Sequence, residues 1–200
     1  MRTRYKKKEY RAVSTSQNND LQTTIDSLFI EALRHGQSQW FRVSSGSMMP
    51  LLRVGDAIAV EPAPATAIHV GEIAAFETAD GLVIHRIVAT QRKDDTIRLL
   101  QLPDVNLRAS WISESAIVGR VVGIQRGSRQ MTLNHPIARW YGKVTAQIRY
   151  RLYQKRANVS ILAFRVCSRL LLLAGCWCIE RCCRTKTVSA YPAWGGKERV

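Results

Sequence analysis

Six short runs between Gln39 and Ile124 constrain the fold more than any other feature of this chain: "WFRVS", "AIAVE", "EIAAFE", "LVIHRIVAT", "TIRLLQL" and "AIVGRVVGI". Each is rich in apolar or β-branched side chains, which suit a pleated and largely buried surface. Turn chemistry separates them, in "RVGD", "PAPAT", "ADG" and "RKDD". Within them, "FETADGLVIHRI" reads as a hairpin turning at Asp80-Gly81. Six strands in so short a stretch predict a mainly β, mostly antiparallel domain. A coiled sheet or partly open barrel fits better than a flat sandwich.

Helical patterns flank this region. In "NDLQTTIDSLFIEALRHGQ", Leu21, Ile25, Leu28, Phe29 and Leu33 share one helical face, and Gly36 stands where a C-terminal cap belongs. After Asn134 a second stripe, Ile137, Trp140, Tyr141, Val144, Ile148 and Leu152, opposes Arg139, Lys143 and Arg149. Such a helix either lies in a membrane interface or packs on the β-domain. Residues 159–179, "VSILAFRVCSRLLLLAGCWCI", are long enough to cross a bilayer. Arg165 and Arg169 lie inside that run, however, and each costs about 2.5–3.5 kcal/mol near the bilayer centre. A span, an interfacial helix and a protein-packed helix all stay open. The expected organisation is a disordered basic arm over 1–19, a β-domain with its leading helix over 20–128, a basic and apolar helical extension over 129–182, and a tail over 183–200.

Charge narrows the partners. The chain carries 30 Lys plus Arg against 15 Asp plus Glu, a net +15, with dense patches in "MRTRYKKKEYR" and "GKVTAQIRYRLYQKR". An anionic membrane surface or nucleic acid answers such a charge. No helix-turn-helix or zinc-finger pattern appears, which argues against nucleic acid. The N-terminal run is not followed by the apolar stretch of a secretory signal peptide. All five cysteines fall between Cys167 and Cys183, too clustered for a disulfide framework and without the histidines or paired C-x-x-C motifs of a zinc site. No metal or organic cofactor is expected.

The chemistry concentrates in "FRVSSGSMMPLLRVGD". A serine becomes a strong nucleophile only beside a group that accepts its proton. His85, inside "LVIHRIV", shares a strand face with Val83 and Ile87. Taken alone it reads as a core histidine, while His35, His69 and His135 stand near turn signals and read as surface residues.

Four boxes, "SGSMMP", "GD", "GEIAAFE" and "VIHRIV", occur in order between Ser45 and Arg86. Together they resemble type I signal peptidases and the self-cleaving SOS-repressor proteases. The resemblance spans roughly residues 40 to 124 and implies a β-fold of the signal-peptidase type with Ser47 as nucleophile. His85 stands where most bacterial members place a lysine, as in the archaeal and endoplasmic-reticulum branch. Imidazole suits that role because it titrates near neutral pH without strong desolvation. The resemblance also implies an oxyanion site from the Ser47 backbone N–H and the Ser45 hydroxyl. Ser45 equally suits an ordinary turn, Met48 reads as packing beneath the site, and Pro50 and Asp56 read as structural.

The acid partner departs from the family pattern. "LPDVNLRASW" supplies Asp104 and Asn106 but no second aspartate, only Ser110 and Trp111, with Glu114 beyond. Asp104 is the preferred orienter of His85; Glu114, or no acid at all, are the alternatives. The expected activity is therefore a serine endopeptidase that cuts an extended peptide after small residues through an acyl-enzyme. No apolar segment precedes the β-domain, so the chain resembles a branch without an N-terminal anchor, acting in the cytoplasm or on the cytoplasmic face of a membrane. The competing reading is a non-catalytic membrane- or nucleic-acid-binding protein on the same fold.

Overall fold

The computed structural model describes residues 24–155 together with 173, 175, 177, 179 and 181–183. The arm over 1–19, most of the 159–179 segment and the tail beyond Cys183 lie outside the described residues. Among those described, no helix is long and apolar enough to cross a membrane.

Helix α1 covers 24–34. Its end is a Schellman motif: Gly36, with φ +81°, donates to Leu33 O, and Gln37 donates to Ala32 O. The expected cap is therefore present. The buried face differs from expectation. Ile30 and Leu33 are buried and Phe29 packs edge-on to Phe41 with centroids 4.8 Å apart, whereas Ile25 and Leu28 face solvent. The sheet covers one narrow side of this helix, so helical spacing alone identified too wide a stripe.

The strands are β1 (Gln39–Arg42), β2 (Ala57–Pro62), β3 (Ile73–Thr78), β4 (Gly81–Lys93), β5 (Thr96–Leu102), β6 (Ser110–Ser113), β7 (Ile117–Arg126) and β8 (Arg129–Thr132). They form one open antiparallel sheet in the order β1-β2-β7-β3-β4-β5-β6, with β8 paired to β7. The mainly β expectation holds. β6 and β8 were not foreseen, because four-residue edge strands with polar residues carry little apolar signal. The β3–β4 hairpin is present, but Thr78 pairs with Gly81, so Ala79 and Asp80 make the turn. In the next hairpin Asp94 and Asp95 both take positive φ, as a type I′ turn requires.

Both faces of the sheet's centre are covered. Along β3, Ile73 and Ala75 join one core with α1, β2 and β7, while Ala74 and Phe76 join a second with Ile87, Leu99 and Ile117. That double burial explains why "IAAF" is an unbroken apolar run. Bulges at Ala59/Val60, Ala75/Phe76 and Ile87/Ala89 bend the sheet between the two cores.

Helix α2 (Pro136–Gln154) starts on His135, whose Nδ1 accepts the Ile137 N–H, with Pro136 in the first turn. It packs on the β-domain through Ala138, Tyr141, Gly142, Thr145, Ala146 and Arg149, and leaves Ile137 and Trp140 exposed. The expected stripe is met in part: Tyr141 is buried, but Ile137 and Trp140 are replaced at the sheet by small residues and by Arg149 from the expected polar face. The reason is a close approach. A Cβ on Gly142 would stand 2.6 Å from the carbonyl oxygen of Gly71, itself at φ +99°. Ile179 and Cys183 complete the main core beside this helix.

Candidate active site

The serine loop follows β1 and is tied down from several directions. Met48, Leu51 and Leu52 are buried in the main core, and Leu52 N–H donates to Met48 O across a single helical turn. Asp56 accepts the Arg53 N–H and takes a two-point contact from Arg126 of β7, at 2.9 and 2.6 Å. Arg126 also donates to Leu51 O, so one guanidinium joins the loop's base to the sheet. Asp56 is therefore structural, as expected. From the far side, the Val105 N–H donates to Ser47 O at 3.0 Å.

These ties hold the Ser47 hydroxyl against β4. His85 Nε2 stands 3.2 Å from Ser47 Oγ, and Ser45 Oγ lies 3.2 Å from the same atom. The sequence separates Ser47 from His85 by 38 residues, and the sheet brings them to hydrogen-bond reach. His85 is half-buried, with its ring 6.1 Å from that of Phe76. Burial lowers its pKa below the ordinary imidazole value; Gln101 and the charge of Asp104 pull the other way without reversing it. A base kept neutral facing a hydroxyl is the arrangement that proton abstraction needs.

The family model for Peptidase S24-like proteins matches residues 10–122, more than half of the chain and both members of this pair. The chain belongs to the Peptidase S24-like family. No curated protein matches it significantly. The match links the S24-like fold to the superfamily that the four sequence boxes resemble, and it stops short of α2.

Within this S24-like domain, Asp104 is not placed where an orienting acid belongs. Both its oxygens are taken by Arg86, at 2.9 Å from Nε and 2.7 Å from Nη2, in a fully buried pair. Adjacent residues on a strand point to opposite faces, so His85 and Arg86 diverge and Asp104 follows Arg86. It reaches His85 by charge alone. Arg86 also donates to Gly71 O, and the Tyr141 ring lies 5.9 Å from its guanidinium carbon. Burial works against the Arg86 charge, but Asp104 outweighs it and raises its pKa. Glu114 accepts the Ile97 N–H on an exposed edge.

Helix α2 closes over this ion pair. Arg149 donates to the carbonyls of Pro103 and Asn106, clamping the loop whose Val105 holds Ser47. The sequence placed Arg149 on the polar face of this helix and gave Arg126 no role, since a long cation in a polar or amphipathic run reads as solvated; both are instead drawn into hydrogen bonds with the loops that hold the site. Among the described residues no group of three or more His, Cys, Asp or Glu gathers into a metal site.

Proposed function

We propose that the protein is a serine endopeptidase working through Ser47 and His85. The observation that carries this reading is the 3.2 Å approach of Ser47 Oγ to His85 Nε2 inside an S24-like domain. Ser47 Oγ attacks the substrate carbonyl carbon while its proton passes to His85 Nε2. The oxyanion is met by the Ser47 backbone N–H and the Ser45 hydroxyl. Collapse expels the amine, which leaves with the proton from His85, and water then hydrolyses the acyl-enzyme by the reverse route. The histidine base aligns the chain with the signal-peptidase-like branch that uses Ser–His pairs, and with it a preference for small residues before the cut.

Strand geometry supports an extended substrate. Residues 81–86 of β4 pair with β3, and β5 takes up the opposite side only from Arg86 onward. The stretch running up to His85 therefore has an edge that β5 does not fill, and a peptide added there as a strand would pass the nucleophile. The strong positive charge suits a peptide presented at an anionic membrane surface as substrate.

The test is cleavage of a peptide library by the full chain. Cuts after small residues, lost by at least about 100-fold in both Ser47→Ala and His85→Ala, are the expected result. Absence of cleavage by the wild type, with no acylation of Ser47 by a serine-directed reagent, would return the fold to a binding role.

A further inference from the structure

Among the described residues, two buried polar atoms near the pair have no partner within hydrogen-bonding geometry: His85 Nδ1 and Gln101 Oε1. Orphaned buried groups are uncommon because each costs the free energy of a missing hydrogen bond. Here a potential donor and a potential acceptor stand in the same region. In the β4–β5 ladder Ile87 faces Gln101, so His85 lies two residues along on the same face. That diagonal spans about 7–8 Å between backbones, within reach of a glutamine. Gln101 is itself buried, and its Nε2 donates to Ser110 Oγ at 2.7 Å on β6. With Nε2 committed to Ser110, Oε1 is the end of the amide left for the imidazole.

We propose that Gln101 is the positioning residue for His85, accepting its Nδ1–H through Oε1 while Ser110 holds the amide in that sense. The inference deepens the Ser47–His85 reading and rests on it for its effect on cleavage. An Nδ1–H donor leaves Nε2 unprotonated and facing Ser47, the tautomer a general base needs. The reverse amide would present N–H to Nδ1 and move the proton to Nε2, where it blocks the serine. Because the orienter is neutral, it fixes the ring without adding a negative charge. This agrees with the direction of the His85 pKa, in which burial prevails and Gln101 raises it only partly. Ser110 stands in the segment where an aspartate was looked for, and it acts through Gln101.

The tautomer can be read without any substrate. Full-length protein carrying 15N-histidine is examined by long-range 15N–1H correlation above the His85 titration, with His85→Ala identifying its signals. The expected result is the Nδ1–H form in the wild type and a mixture resembling free imidazole in Gln101→Ala. Gln101→Glu, which keeps shape and acceptor, should retain the Nδ1–H form and raise the His85 pKa. In cleavage, Gln101→Ala should lower kcat by roughly 10- to 100-fold with little change in KM, and Gln101→Glu should move the acid limb upward. An Nε2–H tautomer in the wild type, or a tautomer and pKa indifferent to both substitutions, would overturn the proposal. If Gln101→Ala does not fold, the wild-type tautomer and Gln101→Glu still decide it. A wild type that shows the Nδ1–H form yet never cleaves would sink the peptidase reading and leave the positioning role standing.

Discussion

Burial makes His85 a weaker base than free imidazole, and that sets the pH behaviour of the site. Its lowered pKa keeps the ring neutral into mild acid, so the acid limb of kcat/KM should fall below about 6.5. A pH–rate profile measures this directly, and a limb at or above the free value would contradict it. The same shift has a stability sign. The unfolded chain takes up the proton first, so stability contributed at this site is lost as pH drops through the ordinary imidazole range. Urea midpoints between pH 7 and 5 should therefore slope less steeply in His85→Ala than in the wild type. Asp104 makes the opposite kind of prediction. Removing it leaves the Arg86 guanidinium buried and unpaired, so Asp104→Ala should cost about 3–5 kcal/mol in denaturant unfolding. The double replacement Arg86→Met with Asp104→Leu should recover most of that loss. Asp104→Asn should leave the His85 tautomer as it is, because the carboxylate makes no hydrogen bond to the ring.

At the scale of elements, α2 supports the site from behind. Its small face lets the helix backbone approach Gly71 closely, and the added methyl of Gly142→Ala has backbone in its way. The expected cost is about 1–3 kcal/mol, read as a lowered urea midpoint with an unchanged m-value. Arg149 tests the link to chemistry. Arg149→Met removes both carbonyl bonds to the 103–106 loop and so loosens the Val105 tie to Ser47. Cleavage should drop by roughly tenfold through kcat, since a small misplacement of the nucleophile weakens attack more than binding. The main strands were legible because their burial is dense enough to show as apolar runs. The buried side of α2 was not, because Ala138, Gly142, Thr145 and Ala146 owe their place to closeness and carry little hydrophobic signal.

For the whole molecule, a net +15 charge combines with exposed Trp140 and Trp177, the latter stacked at 5.1 Å under Arg181. Cations beside half-apolar rings suit an anionic bilayer surface, so the full chain should sediment with vesicles containing phosphatidylserine at low salt and be released as salt rises. Equal binding to neutral vesicles would remove the electrostatic basis of this expectation. The sequence by itself determined the antiparallel β class and the capped helix before it, and it put forward Ser47 and His85 as the candidate pair. These follow from local rules: alternation and turn residues are written along the chain, and a nucleophile motif is short. Tertiary structure alone decided where Asp104 goes, which is to Arg86 and not to the histidine ring. Asp104 and Gln101 are both polar residues near the end of one strand, and nothing local separates them. The sheet does so, turning His85 to the face that Gln101 shares and Arg86 to the face where Asp104 is bound.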